Sequence, residues 1–259
     1  MPDAGAVDPV LSGLPPAHWV LVLVVFGMAG LVKGVVGMGL PTVAMGLLAL
    51  VLRPAEAAAL LIVPSLATNL WQLLAGPPFA ALARRLWGMM AGIVLGTVAG
   101  AGMLAGPHAA AARTALGVVL VIYAALGLCR AAIAVRARDE HWLSPLIGLA
   151  TGLVTGATGV FVVPAVPYLQ ALRLEREALI QALGLSFTVS TAALALGLWW
   201  AGGTAGAWPL LGPSLAALLP ALAGMFAGQA LRRRLSVNAF RQAFLGGLLL
   251  LGLYLAIIA

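Results

Sequence analysis

Ten apolar runs divide the chain, each bounded by charges, prolines or paired glycines. Five lie near 18–36, 37–52, 56–75, 86–105 and 110–129. After a polar break from Arg130 to Glu140, five more lie near 142–159, 160–172, 177–201, 207–230 and 239–259. A helix needs about 20 apolar residues to cross a bilayer core. The third to fifth runs of each set reach that length. The first two of each set are shorter and carry glycine and proline, which predicts broken or re-entrant segments. The pattern predicts an all-α, polytopic integral membrane protein with eight to ten crossings.

The two sets match each other. Gly30-Leu-Val-Lys-Gly-Val-Val-Gly37 aligns with Gly152-Leu-Val-Thr-Gly-Ala-Thr-Gly159 at an offset of 122, and Pro41 and Pro164 follow in turn. Glu56 and Ser65 match Glu177 and Ser186 at 121; Gly96, Gly100 and Arg113 match Gly224, Gly228 and Arg241 at 128. Small loop insertions account for the drift. A single membrane domain over 1–259 is expected, built by duplication from one repeat over about 18–130 and another over about 142–259.

Composition narrows the class. Of 259 residues 63% are hydrophobic and only 8% charged, against about a quarter charged in a soluble domain, so a water-facing surface cannot be covered. The net charge of +7 would suggest nucleic acid in a soluble chain, but here the basic residues sit singly or in short clusters between apolar runs. No nucleic-acid partner is expected. The single Cys129 excludes an internal disulfide and a cysteine-based zinc site, and neither a metal nor a cofactor is predicted. The first 17 residues hold Asp3 and Asp8 and no basic residue, so they read as a short polar lead and not as a signal peptide.

The arginines act as a ruler for topology. If all ten segments cross, or the first pair of each set dips in and returns, eleven arginines between Arg84 and Arg241 share one side, leaving Arg53 and Arg113 on the other. If each pair were a single crossing, the thirteen would divide five and eight. The lopsided split is the one the positive-inside rule favours. It puts both termini on the extracytoplasmic side of a cell membrane. It also inverts the two repeats, because each holds an odd number of segments. Inverted repeats with interrupted helices are typical of secondary transporters, whose sites lie near the midplane between repeats.

One cation is left over. Lys33 is the only lysine and lies inside the first glycine-rich run, where a charge is costly and marks a functional site by default. Its counterpart is Thr155, with Thr158 one turn on. Gly34, Gly37 and Gly159 expose backbone that a ligand or a helix can approach. On the third segments, Ser65, Thr68 or Asn69, and Gln72 share one helical face, as do Ser186 and Ser190 with Thr191 beside them. A fixed positive charge with hydroxyl, amide and backbone donors suits a small oxyanion. The candidate substrate-binding set is therefore Lys33, Gly34, Gly37, Asn69, Gln72, Thr155, Thr158, Gly159, Ser186 and Ser190. Glu56 and Glu177 begin matching helices, where a carboxylate favours the N-terminus. Gly92, Gly96, Gly100, Gly224 and Gly228 look like close-packing faces, within the chain or in a homodimer.

At these motifs the chain resembles the sulfite exporter TauE/SafE family, also described as toluenesulfonate uptake permeases. The resemblance rests on the two GLVxGxxG elements with their prolines, on Leu61-Ile-Val-Pro-Ser-Leu-Ala-Thr-Asn-Leu-Trp-Gln72, and on Gly156-Ala-Thr-Gly-Val-Phe-Val-Val-Pro164. It covers about 18 to 259. Gly37-Met-Gly39 is less rich in glycine than is usual there, and Val160-Phe161 replaces it in the second copy. The resemblance implies transport of sulfite, organosulfonates or related anions. A secondary transporter working by alternating access, and exporting such anions, is the expected function. An anion channel for the same substrates is the alternative. An intramembrane hydrolase would need a base beside a serine, and His18, His108 and His141 all fall at segment ends. No enzymatic activity is expected.

Overall fold

A computed structural model describes residues 16–76, 80–105, 109–129, 134–202 and 210–258. Most of the polar lead, His108 and Arg130 lie outside these residues. The described residues form ten helices and no strand: α1 (Pro16–Val36), α2 (Leu40–Leu48), α3 (Pro54–Leu74), α4 (Ala80–Ala105) and α5 (Ala109–Cys129), then α6 (Glu140–Thr158), α7 (Ala165–Ala171), α8 (Arg176–Gly202), α9 (Leu211–Leu231) and α10 (Val237–Ile258). Among them α1, α3, α4, α5, α8, α9 and α10 are long and apolar enough to cross a membrane. The all-helical, polytopic expectation is borne out.

One expectation changes. The first apolar run is not broken: α1 is continuous from His18 to Val36 as a 19-residue span, with Lys33 in its last turn. Glycine every third or fourth residue lowers helix propensity by about 1 kcal/mol each. Packing on one face outweighs that cost here. Only the second run of each set is short, at nine residues in α2 and seven in α7. At 1.5 Å per residue neither spans the bilayer.

The breaks before α2 and α7 are built alike. Gly37 and Gly159 both take left-handed φ angles, 88° and 71°, where a side chain is disfavoured. Gly37 N–H donates to Lys33 O and Gly159 N–H to Thr155 O, both at 2.7 Å. Each glycine thus ends its helix four residues beyond the Lys33 or Thr155 position. The chain then leaves the helix axis, and Pro41 helps to start α2.

The first helix of each half packs on the fourth helix of the other half. A methyl group built at Gly30 would overlap the Ala221 carbonyl of α9, and one at Gly34 the Met225 carbonyl; Gly224 and Gly228 meet Gly27 and Leu31 in the same way. On the opposite flank Gly148, Gly152 and Gly156 of α6 face Met89, Ile93 and Thr97 of α4, while Gly92 and Gly96 face Pro145 and Leu149. The close-packing glycines are thus used within the chain. Backbone reaches backbone, which is how helices associate where no hydrophobic driving force separates them from lipid.

These contacts set the helix directions. Numbers rise together along α1 with α9 and along α4 with α6, so those pairs are parallel. Gln72 meets Ile180 while Ser65 meets Thr191, so α3 and α8 are antiparallel. Gly117 lies against Ala256 and Gly127 against Leu245, so α5 and α10 are antiparallel too. If α2 and α7 did not return the chain, α3 with α8 and α5 with α10 would each be parallel. The ten-segment count, with the second half inverted, fits all four pairs.

Two further contacts fix α3. Pro64 lies inside it and has no N–H for the Leu60 carbonyl. Ser214 Oγ of α9 donates to Leu60 O at 2.8 Å and replaces that bond. At its start, Glu56 Oε2 accepts the Arg53 N–H at 3.0 Å, and the Arg53 guanidinium reaches the same carboxylate. The Glu56 hydrogen bond raises the Arg53 pKa further above its ordinary value. Ser214→Ala should lower stability by about 1–2 kcal/mol by leaving a buried carbonyl unpaired, read as a lower melting temperature in detergent.

Candidate functional site

Lys33 is only 4% exposed, at the end of α1. Its Nζ donates to Thr68 Oγ1 at 3.2 Å and to Asn69 Oδ1, both on α3. The chain of partners continues in one direction. Asn69 Nδ2 donates to Ser65 Oγ at 3.0 Å, and Ser65 Oγ lies 3.2 Å from Thr191 Oγ1 of α8. Thr191 spends its own proton on Phe187 O at 2.7 Å, so Ser65 is the donor between the two hydroxyls. Thr68 likewise donates to Pro64 O at 2.8 Å and is free only to accept from Lys33. Both hydroxyl protons of Thr68 and Thr191 are thus assigned, and the network joins α1 to both α3 and α8.

No carboxylate takes part. The ion pairs among the described residues are Arg53–Glu56, Arg85–Glu140 and Arg138–Asp139. An ammonium at Lys33 is hydrogen-bonded but not neutralised. It has three N–H groups, two of which the network uses.

The third has somewhere to point. A cavity of about 360 Å³ is lined by Lys33, Gly34 and Gly37 of the α1 end, Thr68 and Gln72 of α3, and Met225 and Gln229 of α9. Gln72 Nε2 donates to Ile180 O at 2.9 Å, which leaves its second amide N–H free. Apolar walls come from Leu179, Leu183 and Trp71, whose ring meets Phe226 edge-on at 6.3 Å. Arg176 and Arg232 also line it, the first at the start of α8 and the second just past α9. The cavity therefore lies towards the arginine-rich end.

The candidates divide. Lys33, Gly34, Gly37 and Gln72 line the cavity, and Asn69 is buried behind Lys33 as its partner. Gly34 mainly admits the α9 backbone. Thr155, Thr158, Gly159, Ser186 and Ser190 are not among its lining residues. Thr155 and Thr158 donate to their own helix, at Thr151 O and Val154 O, both at 2.7 Å. Gly159 faces Met45 of α2. Ser186 and Ser190 are fully buried and have no hydrogen-bond partner among the described residues. The two glycine-rich elements pack on α9 and α4 respectively.

Sequence reasoning missed Gln229, Arg176 and Arg232 as lining residues. Gln229 had a usable signal, being an amide inside an otherwise apolar span. The two arginines had none, because a helix-end arginine is fully explained by topology.

A family model for the sulfite exporter TauE/SafE family matches residues 21–255. The chain belongs to that family. It is thus a member of a sulfur-anion transporter family, and the seven long apolar helices independently support a multi-pass membrane protein. No curated protein and no solved structure matches the chain.

Proposed function

We propose that this TauE/SafE member is a secondary transporter that exports small sulfur oxyanions, such as sulfite or organosulfonates, by alternating access. The carrying observation is a buried lysine without a carboxylate partner among the described residues, facing a cavity between the two halves. In this reading the third Lys33 N–H and the free Gln72 N–H hold the anion, while Thr68 and Asn69 aim the ammonium. The state described is open towards the arginine-rich end, taken as cytoplasmic, with both termini outside.

The repeat supplies the other half of the cycle. Offsets of 122 and 121 carry Lys33, Ser65 and Asn69 onto Thr155, Ser186 and Ser190. Ser186 and Ser190 would gain partners when a matching cavity opens at the other end, which accounts for buried hydroxyls without partners. An inside-negative potential favours exit of a monoanion by about 50-fold in concentration ratio per 100 mV. Export therefore needs no coupling ion.

Sulfite-loaded proteoliposomes should release sulfite faster than protein-free vesicles, and an inside-negative potassium diffusion potential should accelerate release. Protein that is folded but releases neither sulfite nor any sulfonate would overturn the proposal. Asn69→Asp gives a sharper test. It places a carboxylate on Lys33 as a permanent substitute for the anion, so release should fall about 100-fold without loss of thermal stability.

A further inference from the structure

A second cavity, of about 450 Å³, shares Val36 and Met38, at the break after α1, with the first. It opens between α5, α7 and α10, and its polar lining is Tyr123, Gln170, Arg173, Asn238 and Arg241. Among the described residues no acidic side chain lines it. Gln170, Arg173 and Asn238 have no side-chain hydrogen bond or ion pair among the described residues. Tyr123 is 6% exposed, and its hydroxyl has only the Met38 thioether at 3.5 Å. Arg241 gives one N–H to Gly127 O at 2.8 Å and keeps the others. Arg173 holds a left-handed backbone at φ 51°, a costly conformation for a residue with a long side chain.

The matching place in the first half is bridged by a direct contact. Arg113, the counterpart of Arg241, reaches the Leu52 carbonyl in the turn after α2 at 3.4 Å. In the second half the turn after α7 stands away from Arg241, and the cavity separates them.

We infer that this cavity binds the phosphate headgroup of an anionic phospholipid. Five donor side chains with no acidic neighbour call for a ligand with several acceptor oxygens. Leu126, Val166, Pro167, Phe244 and Leu245 supply apolar wall beside them, so the ligand carries an apolar part as well. The site is far larger than an inorganic anion needs. It borders α10, only 22% buried within the protein and so turned mostly to lipid. It also sits at the arginine-rich end, where the cytoplasmic leaflet is anionic and basic pockets between helices hold lipid headgroups. The site is separate from the Lys33 cavity and stands whether or not the transport reading does.

Thermal unfolding of the full-length protein tests it, in nanodiscs of phosphatidylcholine alone and of phosphatidylcholine mixed with phosphatidylglycerol. The anionic lipid should raise the melting temperature by about 5 °C. Arg173→Gln should lose at least half of that shift. Arg84→Gln, an exposed arginine outside the cavity, should keep it. Three results would overturn the inference: no shift with phosphatidylglycerol, an equal shift in Arg173→Gln and Arg84→Gln, or the full shift from inorganic phosphate in phosphatidylcholine. The second would indicate diffuse surface attraction, and the third a free-anion site.

Discussion

Lys33→Met should abolish anion release from proteoliposomes, with a loss of about 100-fold or more, while the purified protein stays folded. The size follows from removing the buried lysine of the Lys33 cavity, where a charge-assisted hydrogen bond to an anion contributes about 3 kcal/mol. Stability should change little. The substitution leaves Asn69 Oδ1 and one Thr68 lone pair without a donor, but it also removes an ammonium with no opposite charge, and the two effects oppose each other. Lys33→Arg separates charge from geometry. Guanidinium is planar and bulkier, so it should keep measurable binding yet transport poorly. Wild-type release from Lys33→Met would remove Lys33 from the site and leave the family assignment intact.

Gly30→Ala and Gly152→Ala should each destabilise the protein by about 3 kcal/mol, lowering the melting temperature by about 8 °C. Alanine is normally the better helix former, so propensity alone predicts the opposite sign. Packing decides. At Gly30 the added carbon would overlap the Ala221 carbonyl, and at Gly152 the Ile93 carbonyl. Neither neighbour is a movable side-chain tip, so whole helices must separate. Gly246→Ala is the control: nothing lies within 4 Å of its would-be methyl group, and propensity should show there as no loss or a small gain. Equal effects at all three glycines would mean that the inter-half glycine packing does not hold α1 to α9 or α6 to α4.

Much of the architecture was legible along the chain. Span length, apolar content and arginine placement are sums over local sequence, and a bilayer imposes them segment by segment. They yielded the membrane class, the ten segments and their parity. The sequence also marked Lys33 as the one cation that topology does not explain. It misjudged the first run as broken, because glycine content was read as helix interruption when it serves close packing. Of the candidate site, only the α1 and α3 residues reach the cavity. Thr155 and Thr158 bond their own helix, and nothing in composition distinguishes such a hydroxyl from one facing a ligand.

By itself, then, the sequence determined that this protein spans a membrane, into how many apolar segments it divides and with which ends charged. It also singled out which charge was out of place. Only the tertiary structure decided that the first helix of each half packs against the other half, that Lys33 is held by Asn69 and Thr68, and that Gln229, Arg176 and Arg232 join its cavity. The reason is physical. Crossing a bilayer is a property of each segment alone, whereas a hydrogen-bond partner or a cavity wall exists only when residues far apart in sequence are brought into register by helix packing.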